Sequence, residues 1–153
     1  MSDTPTIRRA QEGDIPDMHE LIHTTLDRVN AKHLEPDVIA GWKELYTEEK
    51  LKEKVANWFF VVAELDGTLC GTGACEGNEL HAVFVHAGCH RRGVGTAIMN
   101  ELESHIAKDH DSVGIHGASA AGLPFYEALG YDKDEQYVNS FGMSVHAMHK
   151  QLR

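Results

Sequence analysis

The chain has 153 residues, 42% of them hydrophobic, and a formal net charge of −10. This length fits one folded unit, so we expect a single domain over residues 1–153. The acidic balance disfavours a nucleic-acid partner. Because the sequence has neither an apolar run that could span a bilayer nor a basic and apolar leader, we expect a cytoplasmic protein without a membrane partner.

The first third of the chain predicts one strand followed by helices. The strand covers residues 6–9, and Asp14 is placed as the N-cap of the first helix. Two shorter helices follow, one over residues 38–45 and one from a Thr47 cap to Val55. The first helix has an apolar residue at every third or fourth position, the spacing of a buried helix face, at Ile15, Met18, Ile22, Leu26 and Val29.

The rest of the chain predicts a hairpin and then alternating strands and helices. Asp66-Gly67 is a strong turn signal between two β-rich segments, residues 58–65 and 68–75. This order predicts a mixed α/β layered fold, in which ligands bind at strand-to-helix turns. The later elements are a strand, a long helix, a strand, a short helix and a closing strand, over residues 79–86, 92–110, 113–117, 124–130 and 143–148.

The turn before the long helix carries the strongest chemical signal. An apolar strand runs through His90-Arg91-Arg92-Gly93-Val94-Gly95 into an amphipathic helix. Free N–H groups and the helix dipole bind phosphate oxygens, and the two glycines let a diphosphate approach the backbone. Ile98 occupies the third glycine position of a dinucleotide-binding fingerprint, which disfavours that fold. A P-loop is excluded because the Gly-Lys-Ser/Thr sequence is missing.

Two ordered motifs carry a resemblance to a known family. The segment from His90 to Gly95 resembles the Gln/Arg-x-x-Gly-x-Gly/Ala signature of the GCN5-related N-acetyltransferases (GNAT). Pro124-Phe125-Tyr126-Glu127-Ala128-Leu129-Gly130-Tyr131 resembles the helix that follows it in that family. The resemblance covers essentially the whole chain. It implies a central, mostly antiparallel sheet flanked by helices, in which the strand ending near Val85 diverges from its neighbour.

The resemblance also implies acetyl-coenzyme A as the co-substrate. Its diphosphate would lie on the backbone of the glycine turn, and its pantetheine arm would pair with the main chain of Val83, Phe84 and Val85. Ser119 lies where many relatives carry a polar residue that contacts the cofactor. His90 departs from the Gln or Arg of the family, so we expect weaker, pH-sensitive binding. The turn residues are His90, Arg91, Arg92, Gly93, Val94, Gly95 and Thr96.

Acetyl transfer to an amine needs a base for the amine proton and an acid for the departing thiolate. Strand alternation predicts that Glu79 and His81 share one face with Val83 and Val85. Either Glu79 or His81 could be the base, and Glu79 matches a position from which some family members use a glutamate. Tyr126 matches the family tyrosine that acts as the acid.

Other interpretations stay open from sequence alone. His19-Glu20-Leu21-Ile22-His23 matches the zinc-hydrolase pattern H-E-x-x-H, but Leu26 and Val29 replace the residues of a metzincin continuation, and we expect no metal. A non-catalytic acyl-coenzyme A sensor would use the same cofactor site. The acceptor is a small-molecule or peptide amine that no motif identifies. Dimerisation is common in the family, so a homodimer is one arrangement that the resemblance implies.

Overall fold

The computed structural model describes residues 4–30, 34–89 and 93–153, with only the backbone of residues 29 and 30. The strands within these ranges are β1 Thr6–Arg9, β2 Phe59–Leu65, β3 Thr68–Glu76, β4 Glu79–Val85, β5 Ser112–Ala118, β6 Asp132–Val138 and β7 Ser144–Gln151. The α-helices are α1 Ile15–Thr25, α2 Pro36–Glu44, α3 Glu48–Asn57, α4 Val94–Ile106 and α5 Leu123–Ala128.

The strands form one sheet in the order β1-β2-β3-β4-β5-β7-β6. Neighbouring strands are antiparallel except β4 and β5, which are parallel. The sheet confirms the predicted fold class. Within the described ranges, no helix has the length and hydropathy needed to cross a membrane.

Strands β4 and β5 are paired only where they begin. Glu79 lies opposite Gly114 and Leu80 opposite Ile115, and the pairing stops there although β4 continues to Val85. Asn78 holds the paired ends together with two hydrogen bonds. Its backbone carbonyl accepts from the Gly114 N–H at 2.9 Å, and its side-chain amide donates to the Ser112 carbonyl at 3.2 Å. The predicted divergence of the two strands is confirmed.

Each face of the sheet carries its own apolar core. Helix α4 covers one face with Ile98, Leu102 and other fully buried side chains. Helices α1 and α3 cover the opposite face, where Ile22 and Leu51 are fully buried. We call these the α4 face and the α1 face. Removing this apolar area from water is the main force that holds the helices on the sheet.

The turn chemistry matches the prediction at two positions. Asp66 and Gly67 both have positive φ angles, 51° and 78°, as a two-residue hairpin turn requires. The Thr47 side chain accepts a hydrogen bond from the Lys50 N–H at 3.2 Å and so caps α3.

Asp14 occupies the predicted N-cap position of α1, but its side chain does not cap the helix. Instead its carboxylate accepts two hydrogen bonds from the Arg8 guanidinium, each 2.8 Å, and one from the Gln11 N–H at 2.8 Å. The Arg8 guanidinium binds both oxygens of the Asp14 carboxylate, and this paired interaction is stronger than one hydrogen bond from a backbone N–H of the helix.

Two helices differ in detail from the prediction, although helical structure does reach Val29 as predicted for the first. Helix α1 ends at Thr25, and a π-helical turn continues over Leu26–Asn30. Helix α4 covers Val94–Ile106 rather than residues 92–110. It begins after Gly93 because φ there is +79°, a left-handed conformation that cannot belong to the helix. Arg92 lies outside the described residues.

Candidate active site

A β-bulge interrupts β4 beside the opening between β4 and β5. Thr72 of β3 lies opposite Phe84 and Ala74 lies opposite His81, so two residues of β4 face one residue of β3. Ala82 has a φ angle of +55°. The buried Thr72 hydroxyl donates to the Ala82 carbonyl at 2.8 Å and stabilises this conformation. The bulge changes which way the following side chains point.

The bulge corrects one prediction about the site. Val83 and Val85 pack on the α4 face, whereas Phe84 belongs to the core of the α1 face. His81 stacks on Trp58, which packs on the α1 face, with ring centroids 4.4 Å apart. His81 therefore does not share a face with Val83 and Val85. Simple alternation failed because the bulge adds one residue between them.

A cleft of about 930 Å³ occupies the opening between β4 and β5. Its walls come from the second half of β4, the first turn of α4, the end of β5, helix α5, and the region around α2. Most of the predicted site residues meet here. Those that line the cleft are His81, Val83, Phe84, Val85, Gly93, Val94, Gly95, Thr96, Ser119 and Tyr126.

The N-terminus of α4 opens into this cleft. Gly93 is the N-cap and has no side chain that could bond the first N–H groups, and the first turn of the helix carries no acidic residue. The first N–H groups of a helix lack intrahelical acceptors, so those of Val94, Gly95 and Thr96 remain able to bind an anion. The other predicted cradle residues, His90, Arg91 and Arg92, lie outside the described residues.

The two sequence motifs touch each other at Gly95. A Cβ atom at this position would lie 2.9 Å from Cε1 and 3.0 Å from Cζ of Phe125. These distances are too short for a Cβ atom to fit without displacing the ring. Because Gly95 has no side chain, α5 can pack against the first turn of α4. The prediction gave Gly95 the role of admitting a diphosphate. The structure adds a packing role that sequence reasoning missed.

Tyr126 and Ser119 occupy the α5 side of the cleft. Tyr126 contacts the rings of Phe125 and Tyr131 edge-on, at centroid distances of 5.2 and 5.8 Å. Burial raises the pKa of the Tyr126 hydroxyl, which therefore stays protonated at neutral pH. The Ser119 hydroxyl oxygen accepts from the Gly122 N–H at 3.3 Å, which leaves its own hydrogen available as a donor.

His81 and Glu79 form a cluster at the base of the opening. The His81 Nε2 atom is buried, has no hydrogen-bond partner among the described residues, and lies 3.7 Å from Glu79 Oε2 and 3.9 Å from Glu76 Oε1. Burial lowers the pKa of His81, against the opposing effect of the two carboxylates. His81 is therefore neutral at pH 7 and able to accept a proton.

Glu79 is placed differently from His81. Its carboxylate contacts the Nδ1 atom of His116 on β5. It lines a smaller recess of about 230 Å³ beside the main cleft, together with Glu135 and Tyr137. Glu79 is not among the residues that line the main cleft, but it contacts His81 and His116, which do line it. His116 had no role in the sequence analysis, and only the parallel pairing of β4 and β5 brings it to Glu79.

Two groups of side chains have the chemistry of metal ligands. Glu76, Glu79 and His81 bring one ligand atom each to within 4.8 Å of one another. His19 and His23 stack in α1 with ring centroids 3.9 Å apart, but His23 Nε2 is bonded to the Tyr46 carbonyl at 2.9 Å. Among the side chains that the structure describes, no third ligand joins the two histidines of α1.

Sequence reasoning also missed the residues on the far side of the cleft. Trp42 of α2 and Tyr46, which follows α2, both line it. The Phe84 ring contacts Trp42 at a centroid distance of 6.0 Å and Tyr46 at 5.4 Å. No motif marks these positions, since they reach the cleft only through the packing of α2 on the α1 face.

Comparison with known proteins identifies the family. The family model described as an acetyltransferase (GNAT) domain matches residues 30–152. An uncharacterized N-acetyltransferase of Methanocaldococcus jannaschii is 26% identical over 86% of this chain, and this chain spans 62% of that relative. A sheet that opens between parallel β4 and β5 beside the N-terminus of α4 is the architecture expected from the resemblance. The chain belongs to the GCN5-related N-acetyltransferase family.

Solved structures with low sequence identity share the fold. A GCN5-related N-acetyltransferase from Rhodopseudomonas palustris superposes with a TM-score of 0.92 at 21% identity, covering 99% of this chain and 98% of that one. The PaiA N-acetyltransferase of Thermoplasma acidophilum, solved in complex with coenzyme A, gives a TM-score of 0.81 at 20% identity, covering 97% and 99%.

Proposed function

We propose that residues 1–153 form one domain that transfers an acetyl group from acetyl-coenzyme A directly to a primary amine. The observation that carries this proposal is the convergence of a helix N-terminus that begins after a glycine, a diverging strand pair and Tyr126 in one cleft. Family membership supports the reaction class, and the PaiA structure with coenzyme A supports the co-substrate.

The residues present fit the co-substrate. A diphosphate would accept hydrogen bonds from the N–H groups of Val94, Gly95 and Thr96, where the helix dipole favours negative charge. By family resemblance, His90, Arg91 and Arg92 complete this site. The main chain of Val83, Phe84 and Val85 would pair with the pantetheine arm, because β5 separates from β4 after Leu80. The Ser119 hydroxyl lies in the same cleft and would donate to the arm.

The acetyl thioester supplies an activated acyl carbon, and the chain supplies the proton transfers. The acceptor amine must lose a proton to become a nucleophile. We assign this proton to the Glu79–His81 pair. Neutral His81 lines the cleft, and two carboxylate oxygens within 4 Å of Nε2 would stabilise the imidazolium formed. Glu79 acts beside it, either as a second proton acceptor or by supporting the charged imidazole.

We assign the acid to Tyr126. Its hydroxyl keeps its proton because burial raises its pKa. A phenol is a competent donor to a thiolate, which would otherwise leave as an unstable anion in a largely apolar cleft. Tyr126 lies on α5, whose packing against Gly95 fixes its position relative to the proposed diphosphate site.

Calorimetric titration tests the proposal most directly. Purified protein is titrated with acetyl-coenzyme A, with coenzyme A and NAD as controls. We expect one-to-one binding of acetyl-coenzyme A and no binding of NAD. Amine-dependent thiol release then tests catalysis. Tight acetyl-coenzyme A binding without release for any amine would instead identify a non-catalytic acyl-coenzyme A sensor.

We also propose a cytoplasmic location and a homodimeric assembly, both expectations from the sequence and the family. Fractionation tests the location. Sedimentation equilibrium tests the assembly, and a mass of one chain at all concentrations would contradict the dimer.

A further inference from the structure

Three aromatic side chains form one wall of the cleft on the α1 face. We call this the acceptor wall; it consists of Trp42, Tyr46 and Phe84. The Tyr46 ring meets Phe84 edge-on, at 5.4 Å and 86°. The bulge at Ala82 turns Phe84 toward this face, and the Ala82 amide faces the Tyr46 hydroxyl. The wall therefore presents aromatic surface to the cleft, with the hydroxyl group of Tyr46 directed at the backbone.

An apolar contact joins α2 to Phe141, which also lines the cleft. A Cβ atom at Gly41 of α2 would lie only 2.7 Å from the Phe141 Cβ atom. Helix α2 and the turn between β6 and β7 therefore touch. The Asn139 side chain fixes that turn by accepting from the N–H groups of Phe141 and Met143, at 3.2 and 3.0 Å. Phe141 and Trp42 of α2 both line the cleft, so both offer apolar surface to an acceptor.

The charges around the cleft restrict the acceptor further. No Lys, Arg, Asp or Glu is among the described residues that line it. Two carboxylates, those of Glu76 and Glu79, lie beside His81 at the proposed site of proton transfer. A carboxylate on the acceptor would enter the aromatic half of the cleft without a cationic partner, which costs free energy. A second ammonium would find aromatic faces there but no carboxylate among the described lining residues.

Leu45 extends the apolar surface to solvent. It lines the cleft and yet is 38% exposed, which is unusual for a large apolar side chain in this chain. Leu45 and the acceptor wall thus give this side of the cleft a mainly apolar lining, which is typical of small-molecule sites. We propose that the acceptor is a small primary amine carried on an aromatic or aliphatic group, which packs on the acceptor wall with its amine toward His81. This inference rests on the proposed acetyltransferase function.

A panel of amines at equal concentration tests the acceptor class by thiol release. It contains phenethylamine, hexylamine, spermidine, lysine and a peptide with N-terminal alanine. We expect kcat/KM for the first two to exceed the others by about tenfold or more, the scale of discrimination by an apolar pocket. Preference for spermidine, lysine or the peptide overturns the inference while leaving the acetyltransferase function intact. Absence of acetyl-coenzyme A binding in the calorimeter would overturn both.

Leu45→Glu tests the surface itself, and Val138→Glu is its matched control. Both replace an exposed apolar residue, but Val138, 66% exposed, is not part of the cleft. We expect Leu45→Glu to lower kcat/KM for phenethylamine about tenfold, mainly by raising KM. The ratio of kcat/KM for spermidine to kcat/KM for phenethylamine should increase. Val138→Glu should leave kcat/KM unchanged for both phenethylamine and spermidine. Equal values for wild type and Leu45→Glu with every amine would overturn the inference.

Discussion

The ring of Phe125 occupies the space beside Gly95 that a side chain at residue 95 would fill, with Cε1 2.9 Å from the position of a Cβ atom. This contact joins the first turn of α4 to α5. The proposed diphosphate site and the proposed acid Tyr126 are thus held at a fixed separation by one packing contact.

Gly95→Ala should therefore weaken both stability and cofactor binding. The added methyl group must displace the Phe125 ring, and overpacking of this kind costs about 1–3 kcal/mol. We expect a lower melting temperature and a higher KM for acetyl-coenzyme A. Gly13→Ala is the control, because nothing lies within 4 Å of the added Cβ atom there. If Gly95→Ala matched Gly13→Ala in both measurements, the packing role of Gly95 would be refuted.

Tyr126→Phe should lower kcat about a hundredfold, the lower end of the range for general acid catalysis. Acetyl-coenzyme A affinity should persist, since the ring remains. Because burial raises the pKa of Tyr126, the wild type should show no alkaline loss from this group at pH 10 or below. Tyr131→Phe is the matched control: its hydroxyl donates to Glu103 at 2.7 Å and lies outside the cleft. Equal kcat values for the two variants would remove the acid assignment.

The pH profile of kcat/KM separates the two candidate bases. If neutral His81 is the base, activity should fall as the pH drops through its pKa, which burial places below 6.5. The Glu79 carboxylate raises the pKa of His81, so Glu79→Gln should move this acid limb to lower pH. Glu76→Gln should move it in the same direction by less. Complete loss of activity in Glu79→Gln, with no shifted limb, would instead make Glu79 the base.

Removal of metal ions should leave the reaction unchanged. Glu76, Glu79 and His81 could geometrically hold a cation, but the proposed chemistry needs these groups for proton transfer. We expect dialysis against EDTA to leave kcat and KM at their starting values. A loss of activity that zinc restores would contradict this prediction and make the cluster a metal centre.

Asp14→Asn distinguishes the ion pair from the helix cap that the sequence suggested. Asparagine caps helices as well as aspartate does, so a capping role predicts no change. The structure instead predicts a loss of about 1 kcal/mol in the free energy of unfolding, because the bonds to Arg8 weaken.

The ion pair between Arg8 and Asp14 also determines how the loss of unfolding free energy in Asp14→Asn depends on pH. Arg8 lowers the pKa of Asp14, so the ion pair adds stability above the unfolded value of 3.8. This contribution disappears as the pH falls through the folded value, and wild type and Asp14→Asn should then converge. Chemical denaturation measures the free energy of unfolding of each variant. Asp17→Asn, an exposed change in the first turn of α1, is the control.

Local sequence signals predicted most of the fold. Asp66-Gly67 fixed the hairpin, and the motif from Pro124 to Tyr131 predicted α5. The bulge at Ala82 could not be predicted, since alanine has no preference for a positive φ angle. It depends on Thr72 across the sheet. The face that Val83 and Val85 occupy was therefore assigned wrongly, although the residues themselves do line the cleft.

The acceptor side was the least predictable part of the site. Trp42 and Tyr46 lie in a region without motifs, and their position depends on how α2 packs against the sheet and against Phe141. His116 reaches Glu79 only through the register of β4 and β5. Contacts of this kind join residues far apart in the chain, and no local pattern encodes them.

The bulge in β4 has a consequence for how this strand tolerates change. Substitutions at Phe84 act first on the proposed acceptor wall, and those at Val83 or Val85 act first on the side packed against α4. Cofactor packing and acceptor choice can therefore diverge independently during evolution, although the positions are adjacent. Deletion of Ala82 would remove the extra residue and restore regular alternation, with Phe84 still on the α1 face and Val83 and Val85 still on the α4 face, so the two sides should survive the loss of this one residue.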